Sequence, residues 1–219
     1  MSPKPPDPQV RTALIDAAAR LLIQEGPGAL TTRRLAREVG TSTMAVYTYF
    51  RGMEELKHEL RREGFARLAA LQDALPHSDD VVAEVVAQGI AYFTNALANS
   101  HLYRFMFMEP IEEGEAEVGI ETFERLVRSV QRAVEAGRFQ GDPWRLATQL
   151  WAMSHGVISL EMSGCLTIEE AIQVATDSAT NLLVAFGEDR AVAERLIAEA
   201  TGAFAAANAE PLEAVRSST

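Results

Sequence analysis

The sequence predicts an all-α protein in two parts, a three-helix head carrying a helix-turn-helix and a helical-bundle body. Three observations predict it. Apolar residues recur at i, i+3, i+4 in nearly every segment from residue 8 to about 207. No segment alternates with the period of a strand. Gly, Pro and capping side chains punctuate the chain where helices must stop and start.

Residues 8 to about 25 carry Val10, Ala13, Leu14, Ala17, Leu21 and Leu22 on one face and close at Gly26-Pro27. "TTRRLAREVG" predicts a short second helix stopped by Gly40, and Ser42 caps a third that runs to Phe50. A long helix follows from Met53 to about Leu75, with Leu56, Leu60, Phe65, Leu68 and Leu71 as its apolar positions and Pro76 as its stop. Further helices are expected over about 79–98, 100–108 and 116–136. The next, about 142–163, begins at "DPW", with Asp142 as cap and Pro143 in the first turn. Thr167 and Glu170 form a capping box for a helix ending near Gly187, and Asp189 to about Ala207 makes the last. The division expected is 8–52 for the head, 53–207 for the body and 208–219 for a frayed tail.

The formal net charge is −11, unevenly placed. Residues 1–62 hold 10 Lys and Arg against 7 Asp and Glu, a net of +3, which leaves −14 for the remainder. A basic end on an acidic body is the asymmetry of a protein that meets a polyanion with one end. Cys165 is the single cysteine, so no intrachain disulfide is expected and a cytoplasmic location fits. The first ten residues lack the apolar core of a signal peptide. The longest uncharged run, 85–103, is broken by Gln, Asn, Ser, Thr and His and makes a poor membrane span.

The head carries the clearest chemistry. Counted from Thr32, Ala36 is fifth, Gly40 ninth and Val46 fifteenth. A helix-turn-helix needs a small residue where two helices cross, a turn residue tolerant of positive φ, and a branched apolar anchor on the second helix. Arg33 and Arg34 stand in the first turn of their helix, where the macrodipole disfavours cations by about 0.3–1 kcal/mol each. A phosphate at that helix end reverses the sign. With Ala45, Val46 and Phe50 assigned to the core, Thr43, Met44, Tyr47, Thr48 and Tyr49 are left exposed. A solvated face is normally rich in Glu, Lys and Gln, whereas these hydroxyls, methyls and rings suit base edges and phosphates in a major groove.

"GALTTRRLAREVGTSTMAVYTYFRGMEELKHEL", residues 28–60, resembles the DNA-binding head of the TetR family of bacterial transcriptional regulators. The resemblance implies that Thr32 and Tyr47 hold phosphates and that Arg33, Thr43, Met44, Ala45, Thr48 and Tyr49 face bases or backbone of double-stranded DNA. Many members place a Lys at the start of the fourth helix; Met53 stands there, with Arg51 two residues earlier as the candidate replacement. The resemblance further implies a homodimer, paired through 142–163 and 168–187, and a small effector within the body. "WAMSHGVISLE" is similar to a C-terminal subclass with a Trp-x-x-x-His-Gly pattern.

On the body's own residues, the helix at 144–163 is apolar on two sides. Trp144, Trp151, His155, Ile158 and Met162 form one stripe, and Leu146, Leu150, Met153, Val157 and Leu160 the other. A helix apolar on both sides is buried on both. The partner subunit is expected on the Leu146, Leu150, Val157 side. Candidate effector contacts are Tyr92, Phe93, His101, Tyr103, Phe105, Phe107, Met108, Trp151, His155 and Met162. Met and aromatic residues suit adaptable pockets and equally suit a core, and His155 fits a structural role as well as a ligand contact. The ionisable groups of these walls are Arg104, Glu161, His101 and His155, too few to pair a charged ligand, so a hydrophobic effector is expected.

No enzyme, cofactor or metal site is expected. Glu55-x-x-His58 has the spacing of a bundle metal motif but no second copy, Cys165 and His155 come without an oxyanion motif, and there is no P-loop or GxGxxG. Two function classes stay open: a ligand-responsive repressor, and a DNA-binding regulator of the same shape whose body answers to a protein or to nothing.

Overall fold

The computed structural model describes residues 8–108 and 119–207. Among them are ten α-helices and no strand: α1 (Pro8–Glu25), α2 (Thr32–Val39), α3 (Thr43–Tyr49), α4 (Met53–Asp73), α5 (Val81–Ala98), α6 (Ser100–Met108), α7 (Ile120–Glu135), α8 (Pro143–Met162), α9 (Ile168–Phe186) and α10 (Arg190–Ala207). A single 3-10 turn, Pro27–Ala29, was not expected from the sequence. The expected tail at 208–219 and the first residues of the helix predicted from 116 lie outside the described residues.

Two compact units divide the chain. The first comprises the chain to Ala70 with Leu97–Glu121; the second comprises Leu71–Ala96 and the chain from Thr122. The first unit is thus larger than the head expected at 8–52. Its core explains why: Leu14, Ile15 and Leu21 of α1, Leu35 of α2, Val46 of α3 and Phe50 share one cluster with Leu56 and Leu60 of α4 and Leu102 and Phe105 of α6. Each such side chain, once buried, is worth about 1.5–3 kcal/mol, so α4 and α6 enlarge the core of the three N-terminal helices. The guanidinium of Arg61 is buried over the Phe105 ring, 5.4 Å from its centroid.

Local signals set the geometry of α2 and α3. The Thr31 side chain caps α2 by accepting from Arg34 N at 3.2 Å, and Ser42 caps α3 by accepting from Ala45 N at 3.1 Å. Between them Gly40 adopts φ 71°, ψ 31°, and Thr41 N donates back to Ala36 O at 2.8 Å. A side chain there would pay the left-handed penalty of about 1–2 kcal/mol, although nothing stands within 4 Å of its Cβ position. The turn's demand is therefore on backbone conformation alone.

The second unit is built on Val82 and Val85 of α5, Val130 and Ala133 of α7, Phe139, Leu146 and Leu150 of α8, Leu183 and Phe186 of α9, and Leu196 and Ile197 of α10. Phe139 meets Phe186 edge-on at 5.5 Å. Asp142 caps α8 through Arg145 N at 2.9 Å, and the Thr167–Glu170 capping box opens α9. Two buried carboxylates are paired: Glu84 with Arg132 and His77, and Glu188 with Arg138 Nε at 2.8 Å. Val81–Ala98 is the one described helix long and apolar enough to cross a membrane by length and composition. Its Val82, Val85 and paired Glu84 are all buried in this unit, as expected of a core helix.

Leu146, Leu150 and Val157 are 6%, 8% and 5% exposed. That corrects the expected partner face: Leu146, Leu150 and Val157 are buried within the protomer, and of the stripe assigned to a second subunit Leu160 is the residue left exposed. The large apolar side chains that α8 and α9 leave exposed are Trp144, Trp151, Leu160 and Val174.

Candidate functional site

The head presents Thr43, Met44, Tyr47 and Thr48 on one exposed stripe of α3, with Met44 70% and Tyr47 55% exposed. Positions i, i+1, i+4 and i+5 share a helix face, so the cap at Ser42 and the anchor at Val46 aim all four outward together. Thr48 Oγ1 donates to Met44 O at 2.9 Å. Tyr49 departs from expectation. It is half-buried against the head core, its ring 6.3 Å from Phe50, because one turn after Val46 it lies on the inner flank. Ala45 is half-buried as well, and Thr32 is half-buried at the start of α2.

The two arginines of the first α2 turn have different surroundings. Arg34 makes a two-pronged bond to Glu25, at 3.2 and 2.9 Å, and lies 3.5 Å from Glu38. Glu38 also accepts from Arg20 at 2.8 Å, a bond that holds its carboxyl below the usual range. The dipole cost of Arg34 is thus offset within the protein. Arg33 is exposed and has no ion pair or hydrogen bond among the described residues, and Arg51 is exposed too. Of the two arginines in the first α2 turn, Arg33 remains available to a phosphate.

In the second unit a phenol joins two helices. Trp151 Nε1 donates to Tyr92 Oη at 3.1 Å, and the same oxygen lies 3.3 Å from His155 Nδ1. Trp151 and His155 are one turn apart on α8, and Tyr92 faces them from α5 at 8% exposure. Burial pushes His155 below the ordinary histidine pKa and Glu161, further along α8, above the ordinary carboxylate. With the imidazole proton on Nε2, Nδ1 accepts and the phenol donates there while it accepts from the indole; with the proton on Nδ1, the phenol oxygen accepts from both rings. Phe123 adds a ring that the sequence reading missed, 5.0 Å from Trp144 and 5.8 Å from Trp151. The i, i+7 spacing of the two tryptophans was its one sequence signal. Phe93 and Met162 are half-buried in this unit.

The other effector candidates belong to the first unit. Phe105 is part of the head core, and Tyr103 is fully buried against Phe107 at 4.9 Å, which meets Phe65 edge-on at 5.6 Å. Met108 ends α6, and its side chain lies outside the described residues. His101 lines a cleft of about 170 Å³ with Asp16, Arg20, Arg67 and Asn99. Burial lowers its pKa, with smaller contributions from Arg20 and Arg104. Arg67 is held by Asp16 at 3.0 Å, Glu63 at 3.0 Å and Asn99 at 2.7 Å. Among the described residues no group of three His, Cys, Asp or Glu side chains is placed to hold a metal ion.

A helix-turn-helix unit with an exposed uncharged recognition stripe, followed by an all-helical unit, defines a DNA-binding regulator. "Bacterial regulatory proteins, tetR family" matches residues 14–60, and "Tetracyclin repressor-like, C-terminal domain" matches residues 85–186. The chain belongs to the TetR family of transcriptional regulators and is a DNA-binding protein of that family. Among solved structures it is similar to a protein of unknown function from Rhodococcus sp. RHA1, at 28% identity and TM-score 0.70 over 86% of this chain and all of that one. A tetR-family regulatory protein from Rhodococcus RHA1 matches at 21% identity and TM-score 0.69, over 84% of this chain and 100% of that chain. RolR, solved in complex with resorcinol, shares the fold at 19% identity and TM-score 0.57, over 86% and 93% of the two chains. A search of curated proteins gives no match.

Proposed function

We propose that the chain is a homodimeric, ligand-responsive repressor that works in the cytoplasm and is released from a palindromic operator by a small hydrophobic, neutral or weakly charged effector. The observation that carries this reading is the Trp151–Tyr92–His155 cluster, a set of polar groups beside aromatic rings on two helices of the body. Binding sites combine apolar walls with a few oriented polar atoms, and this cluster brings the two together. Apolar contact gains the effector about 25 cal/mol per Å² buried, while an unpaired charge there costs several kcal/mol. RolR holds resorcinol within the same fold.

One head carries one recognition helix, so specificity requires two half-sites about 34–36 Å apart, read by a two-fold dimer. The exposed Leu160 and Val174 on α8 and α9 support a seam over 142–163 and 168–187. Thr32, Arg33, Thr43, Met44, Tyr47 and Thr48, with Arg51 beside them, form the proposed DNA surface. An effector releases DNA only if it binds more tightly to a dimer form that does not match both half-sites.

The test is a thermal-shift screen of neutral aromatic and aliphatic compounds, followed by operator-release titration of each hit. His155→Ala and Trp151→Ala should each weaken the response about tenfold or more, the loss of one well-made contact at about 1.4 kcal/mol. An effector that proves to be a polyanion or a metal ion, or a normal response from both variants, places the site elsewhere.

A further inference from the structure

The geometry points to an operator read through thymine methyl groups, with Met44 and Thr48 as the reading side chains. The inference rests on α3 entering the major groove and adds the class of base it selects. Helix α3 is "TMAVYTY" and carries no amide, guanidinium, ammonium or carboxylate. The bidentate pairings that identify guanine (Arg or Lys) and adenine (Asn or Gln) are therefore not available from this helix. Its exposed stripe offers the Thr43 and Tyr47 hydroxyls, the Met44 thioether and Thr48. A lone hydroxyl gives or takes a hydrogen bond at many base edges and discriminates weakly.

Thr48 narrows the choice further. Its hydroxyl proton is used within the helix, donated to Met44 O at 2.9 Å, so Thr48 offers a groove no donor, only its methyl and an acceptor oxygen already drawn toward the helix backbone. Met44, 70% exposed and one turn earlier, adds a flexible apolar chain beside that methyl. Two adjacent apolar contacts on an otherwise hydroxyl-bearing face match the C5-methyl of thymine, the one apolar group that a base displays in the major groove. Each half-site should then hold one or two thymines opposite Met44 and Thr48, recognised by the methyl and not by the O4 acceptor.

The experiment selects high-affinity duplexes from a random-sequence pool with the full-length protein, then replaces single thymines by deoxyuridine, which keeps the pairing and removes the methyl. At the thymines under α3, each replacement should weaken binding about fourfold, while replacement outside that footprint should change nothing. Met44→Ala and Thr48→Ser should abolish the deoxyuridine penalty at their own positions. Thr48→Val, which keeps a methyl and loses the hydroxyl, should retain it. Equal binding of thymine and deoxyuridine duplexes, or the opposite behaviour of Thr48→Ser and Thr48→Val, overturns the inference and leaves DNA binding intact. Failure to enrich any duplex overturns the inference together with the reading beneath it.

Discussion

Tyr92 Oη lies 3.3 Å from His155 Nδ1 and at the same time accepts a hydrogen bond from Trp151 Nε1 at 3.1 Å. One oxygen on α5 therefore orients both polar side chains that α8 turns toward it. Tyr92→Phe removes these two bonds and little volume. Each bond is worth about 0.5–1.5 kcal/mol net, so denaturant unfolding should show a loss of about 1–3 kcal/mol. The effector response should fall in the same variant, because the indole and imidazole lose their shared anchor. A Tyr92→Phe protein with unchanged stability and unchanged response would show that the phenol oxygen orients neither group.

The same contact carries a pH dependence. Burial holds the His155 pKa below the ordinary value of 6.5, so from there up to about 6.5 the unfolded chain binds more protons than the folded one. Stability is therefore full above about pH 6.5 and falls as the pH drops through that window. His101 acts with the same sign, and Glu161, pushed upward by burial, with the opposite sign. Melting temperatures from about pH 7.5 to about pH 5.5 should fall less steeply in His155→Ala than in the parent. Parallel curves would remove His155 from the account.

The exposed apolar positions of α8 and α9 make the assembly testable. Leu160 and Val174 are 46% and 39% exposed, so a carboxylate at either place disturbs no protomer core. Leu160→Glu or Val174→Glu should give folded monomers in sedimentation that no longer hold a two-half-site duplex. Leu150→Glu should behave differently and unfold the protomer, since burying an unpaired charge costs several kcal/mol. Dimers that survive both exposed substitutions would move the seam off this face.

Much of this fold was legible because helix ends are decided locally. Gly40, the Asp142-Pro143 pair and the Thr167–Glu170 box each mark a boundary through a backbone conformation or a cap that neighbours in sequence supply. The apolar anchors of the helix-turn-helix were legible for the same reason. What the sequence left open depends on partners far along the chain. Phe105 and Leu102 lie in the head core because α6, which begins 27 residues after α4 ends, returns to it. The two sides of α8 were distinguishable as apolar, but periodicity does not say which side the protomer itself fills. Arg34 looked as available as Arg33 until Glu25, nine residues earlier, was placed beside it across the turn.

The central claim is that the exposed face of α2 and α3 holds DNA, and the most direct measurement is the salt dependence of operator binding for the parent, Arg33→Ala and Tyr47→Phe. Fluorescence anisotropy of a labelled selected duplex, across a series of salt concentrations, gives both affinity and slope. Loss of a phosphate contact at Arg33 should weaken binding and lower the magnitude of the log–log slope by about one for each head. Tyr47→Phe, which removes one hydroxyl, should weaken binding with little change in slope. Both variants bear exposed substitutions and should fold as the parent does. Parental affinity and parental slope in both would contradict the placement of the DNA surface on these helices.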